Sequence, residues 1–234
     1  MGIKNLIKII QTGQAGTTRN LVDMHRVRTK IFRDRMGWDV EVNDMELEVD
    51  DYDLPDTIYI LHFDSLGQVT GTWRFLLTDQ PSMIRNIWPH YCETLPLPIS
   101  DTMIETSRFG VHSETQNSLD RQKQVNFATA EMIVALIETC ILCGITDMYT
   151  LYNVKIKRLL ERIGFKPCDV SDIIDLEGEP TVTARFRMDH DLLQAVKSIT
   201  GVTFAITPDD LPPLLMDKFL SPRKPRIRHE RRVA

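Results

Sequence analysis

The chain has no apolar run near the roughly 20 residues a bilayer-spanning helix needs, so a membrane span is not expected. Met1 to Ile10 holds two lysines but neither a long apolar core nor a small-residue cleavage site. A secretory signal is therefore not expected, and the cytoplasm is the expected compartment. Histidine is scarce: the six present are scattered, without the H-E-x-x-H spacing of a metal-binding helix. Cysteine is limited to Cys92, Cys140, Cys143 and Cys168. Cys140 and Cys143 form a C-x-x-C pair inside an apolar helical pattern, and no second pair completes a zinc site. Buried, reduced thiols and no metal are expected. A basic excess is also missing, because 28 Lys and Arg face 33 Asp and Glu for a net charge of -5. Residues Ser221 to Ala234 carry six basic side chains and one acid, or +5, which leaves -5 - 5 = -10 on the rest. An acidic body with a short basic tail is not the profile of a nucleic-acid-binding protein.

What is present fits a globular chain of 234 residues, 42% hydrophobic and 26% charged. That length builds a sizeable core. One domain over 1–211 is expected, followed by a basic, flexible tail over 212–234.

Lys4 to Gln11 reads as a first strand. A helix follows from a cap at Thr17 or Thr18 to about Met36, with Gly37 as its stop. Its apolar face is Leu21, Met24, Val27 and Ile31. Asp39 to Asp56 is a loop with nine acids and no base. Thr57 to Phe63 and Gln68 to Thr78 are strands around the turn at 64–67. Pro81 to Pro98, with four prolines, reads as irregular. Thr102 to Val111 is a strand. Asp120 to Cys143 is the strongest helix, with Val125, Ala128, Met132, Ala135 and Leu142 on one face and Gly144 as terminator. A strand over Ile145 to Tyr152, a helix over Val154 to Ile163, an alternating strand over Thr181 to Met188 and a helix over Asp191 to Ile199 complete the order. The pattern predicts an α/β (α+β) domain, a mixed central sheet flanked by helices. Leu159 to Phe165 resembles the helix ending in Gly-Phe of N-acetyltransferase-type folds, in which a V-shaped splay of the sheet holds an acyl thioester.

Four blocks carry charge in unusual places. Arg28 and Phe32 share one face of the first helix, a face otherwise apolar. Alone, Arg28 reads as the polar edge of an amphipathic helix. The acidic run Glu46 to Asp53 reads as a solvated turn, or as a site for a cationic ligand or for arginines. It lacks the glycine and closing glutamate of a calcium loop. Arg74 is a single charge mid-strand, either an exposed edge residue or a buried partner of the acids. In Glu105-Thr106-Ser107-Arg108-Phe109, Glu105 and Ser107 point to one face of an ideal strand and Arg108 to the other. A bulge is needed to bring Glu105 and Arg108 together.

Taken in order, Arg28, Phe32 and Trp38, then Glu48-x-Asp50-x-Tyr52-Asp53, then Arg74, then Glu105-x-Ser107-Arg108-Phe109 resemble the acyl-homoserine lactone synthases, also called autoinducer synthases. The likeness spans about Arg26 to Val111, and more weakly reaches Phe165. It departs where the family usually has Arg-Leu-Leu-Pro-Thr: here Phe75 and Leu77 stand in Arg74-Phe75-Leu76-Leu77-Thr78.

The resemblance implies an N-acetyltransferase-like fold and two substrates, S-adenosylmethionine and an acyl thioester on acyl carrier protein or coenzyme A. S-adenosylmethionine is consumed as a substrate, so no cofactor is implied. The methionine amine attacks the thioester. The methionine carboxylate then closes a lactone and expels methylthioadenosine. The resemblance makes Glu105, Asp50, Arg108 and Ser107 the catalytic candidates, with Glu105 the base. Arg28, Phe32, Trp38, Asp53, Arg74 and Phe109 become candidates for the S-adenosylmethionine side, although Phe32 reads equally as core. Leu76, Met132, Leu136, Tyr149 and Thr150 are candidates for the acyl slot. Thr150 stands on the strand where some members place a threonine said to read the third acyl carbon. Two rivals stay open. A general N-acyltransferase would carry R/Q-x-x-G-x-G/A, yet Phe109 to Gln122 has Gly110 alone. A non-catalytic acyl-binding module would not need the acids and arginines together.

Overall fold

A computed structural model describes residues 6–113, 118–176 and 178–217. The expected start at Lys4, the side chain of Val125 and the basic run from Ser221 lie outside what it describes. Among the described residues, eight strands form one mixed sheet in the order β1-β2-β3-β4-β5-β8-β6, with β7 also on β8. The strands are β1 (Ile7–Gln11), β2 (Ile58–Phe63), β3 (Val69–Leu77), β4 (Met103–Val111), β5 (Asp147–Asn153), β6 (Asp169–Val170), β7 (Ile174–Leu176) and β8 (Glu179–Arg187). All neighbours run antiparallel except β4 and β5, which are parallel.

Alternation along the strands separates two faces. On one face Ile58, Ile60, Trp73, Phe75, Ile104, Met148, Ala184 and Phe186 form the main core with α4 (Ser118–Leu142), α5 (Val154–Arg162) and α6 (His190–Thr200). Helix α4 is buried on every side from Ala128 through Cys140, because the sheet covers one face and α6 and the chain after it pack against the rest. The Cys140 and Cys143 thiols are buried here, and burial pushes Cys143 up to about 12. On the other face Tyr59, Leu61 and Phe63 pack against Met24, Val27, Ile31 and Phe32 of the first helix.

That helix departs from the expectation in its second half. It is an α-helix, α1, over Thr18–Thr29 and a wider π-turn over Lys30–Arg35. Gly37 (φ 70°) ends it, as expected, and the Trp38 N–H returns to the Phe32 carbonyl. Thr17 sits at the cap position, but its hydroxyl donates to the Gln14 carbonyl rather than receiving a helix N–H. Gly110 lets the π-turn lie on β4, because a Cβ there would stand 2.9 Å from Ile31 Cγ2.

The Pro81 to Pro98 stretch, expected to be irregular, contains two short helices, α2 (Met83–Ile87) and α3 (Tyr91–Thr94). Ser82 caps α2 by accepting the Arg85 N–H, and Pro89 separates the two turns. The chain stays packed past residue 211. Helix α7 (Pro213–Leu215) buries Leu215 in the main core, and the Leu214 N–H donates to Gln11 Oε1 at 3.1 Å.

The functional consequence lies between β4 and β5. Their ladder pairs Met103 to Thr106 with Asp147 to Thr150 and stops there. Beyond it, β4 runs on beside β3 to Val111, and β5 runs on beside β8 to Asn153. The two halves of the sheet therefore part, as a V-shaped splay requires. Just past the parting point Thr72 pairs with Gly110 while Arg74 pairs with Ser107, so Arg108 and Phe109 together oppose Trp73. Arg108 adopts φ 53°, a left-handed backbone that marks this bulge.

Candidate active site

The bulge gives β4 its sidedness. Ser107 and Arg108 both reach toward the α1 side, and Phe109 turns to Trp73 on the α4 side, with ring centroids 4.6 Å apart. Arg74 stands between Tyr59 and Ser107 in register, and Leu76, Glu105 and Tyr149 form the next row.

Above these rows the acidic loop folds inward against α1. Arg28, with no exposed side-chain surface, donates from Nε to Glu48 and from Nη1 to Asp53 Oδ1 at 2.7 Å. Arg74, equally buried, grips Asp50 through both terminal nitrogens, reaches Asp53 Oδ1 at 2.9 Å and donates from Nε to Ser107 Oγ at 3.0 Å. Arg108 Nη2 meets Glu48 Oε1 at 3.0 Å and Asp50 Oδ2 at 2.8 Å. The Tyr59 hydroxyl donates to Asp53 Oδ1 at 2.6 Å. Three guanidinium groups thus face three carboxylates, and the cluster is neutral. Forked contacts of this kind fix geometry as well as charge.

Of the two readings left open for Arg74, the buried partner is what the fold builds. Burial alone would push the Asp53 carboxyl up. Arg28 and Arg74 outweigh it and hold the group well below the ordinary carboxylate range. Asp50 is also lowered: burial opposes, but the hydrogen bonds and charge of Arg74 prevail. Arg108 moves the other way, its pKa lowered chiefly by burial. The cluster is not evenly covered. Arg28, Arg74 and Glu48 have no exposed side-chain surface and Asp53 has 4%, whereas Asp50 keeps 17% and Arg108 13%.

Glu105 lies beside this cluster on the same face, 1% exposed. The bulge brings Arg108 to that face, yet the Glu105 carboxylate bonds elsewhere. Its Oε2 accepts the Ser82 hydroxyl and its Oε1 the Ile84 N–H at 3.2 Å. Burial raises its pKa, and the bonds from Ser82 and Ile84 only partly offset that.

Phe32 is core, 1% exposed, with Arg108 lying 5.5 Å from its ring centre. Trp38 stacks on Phe32 at 5.1 Å with 45% of its surface open. The acyl-slot candidates do not share one face. Leu76 and Tyr149 flank Glu105, while Met132 and Leu136 belong to the α4-side core. Thr150 follows Tyr149 in the strand and points away from it, its hydroxyl donating to the Thr106 carbonyl at 3.1 Å across the last paired position. Phe75 and Leu77, the departures from the family pattern, are buried in the α4-side core rather than among the charges. The candidate set lacks three participants: Glu48, Tyr59 and Ser82. Glu48 alone had a readable signal, standing two residues before Asp50 in the acidic run.

The profile described as autoinducer synthase matches residues 14–197. An acyl-homoserine-lactone synthase of Pseudomonas aeruginosa is 33% identical over 171 residues, 72% of this chain and 83% of that protein. Among solved structures, the AHL synthase LasI superposes with a TM-score of 0.69 at 28% identity, covering 86% of this chain and 97% of that one. A CoA-dependent acyl-homoserine lactone synthase, BjaI, solved with SAM and isopentyl-CoA, shares the fold with a TM-score of 0.73 at 20% identity, covering 92% and 99%.

Proposed function

Because this chain belongs to the autoinducer synthase family and is an acyl-homoserine-lactone synthase, we propose that it joins an acyl group from a thioester to the amine of S-adenosylmethionine on the α1 face of the sheet, beside the splay. The observation that carries this reading is the neutral arginine–carboxylate cluster set next to a buried glutamate where β4 leaves β5. Glu105 takes the amine proton. The freed nitrogen attacks the thioester carbonyl, the C–S bond breaks, and the second proton that nitrogen gives up as it becomes an amide leaves on the departing thiol. The methionine carboxylate then attacks its own γ carbon, and the departing sulfur carries away methylthioadenosine. Negative charge on the carbonyl oxygen needs donors already in place, and the bulged backbone of Ser107 to Phe109, past the last β5 partner, supplies N–H groups there.

Exposure divides the charged set by role. Arg28, Arg74, Glu48 and Asp53 are sealed and brace the acidic loop against α1 and the sheet. Asp50 and Arg108 keep open surface and touch substrate: Asp50 faces its cationic groups, and Arg108 its carboxylate. Trp38 offers an open ring face to the adenosine side, and Phe32 supports it from the core. The donor is carried on acyl carrier protein or coenzyme A, both anionic. Helix α5, which starts directly after β5, exposes Arg158 and Arg162, and Lys166 is exposed just beyond it. That is a cationic surface suited to either carrier.

Purified protein incubated with S-adenosylmethionine and a panel of acyl-carrier-protein and acyl-coenzyme A thioesters should release methylthioadenosine and the matching acyl-homoserine lactone in equal amounts by mass spectrometry. The donor that turns over fastest names the carrier. Thiol release onto another amine without methylthioadenosine would make the protein a general N-acyltransferase.

A further inference from the structure

We propose that Ser82 is a positioning residue for acyl transfer, its hydroxyl holding the Glu105 carboxylate in the orientation from which it takes the amine proton. This rests on Glu105 being the base. Ser82 is 2% exposed and lies in the turn between β3 and α2, outside every charged block readable in the sequence. Its Oγ accepts the Arg85 N–H at 3.1 Å and donates to Glu105 Oε2. A hydroxyl has one proton, and with a lone pair committed to Arg85 that proton is aimed at the carboxylate. The Ile84 N–H takes the other oxygen at 3.2 Å. Each carboxylate oxygen therefore meets one donor and keeps a lone pair for an incoming proton.

The turn that carries Ser82 is itself tied down. Thr78 Oγ1 donates to the Ser100 carbonyl at 2.7 Å and accepts the Ser100 N–H at 2.9 Å. Arg85 Nη2 donates to the Thr78 carbonyl at 2.7 Å and to the Gln80 carbonyl at 3.2 Å. On either side along the sheet, Leu76 and Tyr149 exclude water from Glu105. In such surroundings a carboxylate without a donor would take up a proton and stop acting as a base. The Ser82 hydroxyl opposes that directly by bonding the charged form.

Ser82 also caps α2, so the test must separate the two tasks. Glycine preserves most of an N-cap's worth but has no hydroxyl. In S82A and S82G the acidic limb of the kcat/KM profile should move up by about one pH unit, the shift expected for loss of one hydrogen bond to a charged group. S82T, which restores the hydroxyl, should overlay the unsubstituted protein. The carboxyl band of protonated Glu105, read by infrared difference against E105Q, should shift in parallel, which gives a readout even where turnover is too slow to follow. Acidic limbs that coincide in S82A, S82G and the unsubstituted protein would overturn the proposal, as would a shift in S82T equal to that in S82A. Full turnover in E105Q would instead overturn Glu105 as base, and the role of Ser82 with it.

Discussion

Glu105→Gln should lower turnover by about 10²- to 10⁴-fold, the range set by removal of a positioned general base, while leaving the protein at least as stable. The substitution is close to isosteric. The amide oxygen still accepts from Ser82 or the Ile84 N–H, so the row Leu76–Glu105–Tyr149 keeps its packing. What disappears is a group able to take a proton. Stability moves the other way. Burial raises the folded-state pKa of Glu105 above its ordinary 4.5. Glu105 therefore favours the folded state most at pH below 4.5, and that contribution is lost as pH rises through the folded value. At neutral pH the buried charge is a cost that glutamine removes. Turnover and melting temperature measured on one preparation separate the effects. A variant within tenfold of the original rate would mean that another group takes the proton.

Arg28→Ala should unfold the protein far more readily, at a cost of about 3–5 kcal/mol in urea denaturation. That is the range for removing one partner of a buried charge pair and leaving the other uncompensated. Glu48 would keep only Arg108, and Asp53 only Arg74 and Tyr59, so three carboxylates would share two guanidinium groups and one buried charge would go uncompensated. Arg33 is the control. It pairs with Asp34 and Glu46 at the surface, and Arg33→Ala should leave the unfolding midpoint where it was. The same cluster sets the acid limit. Asp50 and Asp53 titrate below their ordinary 3.8 in the folded protein. Their contribution is fully present above that value and is lost as pH falls through their folded values. Asp53→Asn should lower stability at neutral pH and flatten its decline below about pH 4. An Arg28→Ala midpoint equal to that of Arg33→Ala would show that the cluster does not hold the fold.

Much of this site could be read in the chain, because charge placed where apolar residues belong needs a partner. Arg28, read alone as a polar helix edge, and Arg74, read as either an exposed edge residue or a buried partner, both prove to be sealed, and the acidic loop supplies their acids. The need for a bulge near Arg108 followed from strand parity alone, and the register slip opposite Trp73 answers it. Tyr149 and Thr150 were grouped in one slot against strand parity, which sends neighbours in a strand to opposite faces. The partner of Glu105 had no such signal. Ser82 sits in a proline-marked stretch with no periodicity, and only the folded turn places its hydroxyl on the carboxylate. The π-turn was hidden likewise: residues 18–36 have an apolar spacing that suits a plain helix, and only the fold shows the widened turn with Ile31 against Gly110.

The arginine–carboxylate cluster has a kinetic side. It ties α1 to the acidic loop and both to two strands, and the contact from Arg108 to Glu48 alone spans 60 residues. Contacts so distant along the chain form only after the intervening segment has been closed into a loop. The cluster is therefore expected to assemble late, once β3 and β4 are aligned, which refolding and unfolding rates of Arg28→Ala would check. On that order, damage to the cluster should shorten the lifetime of the native protein more than it slows folding.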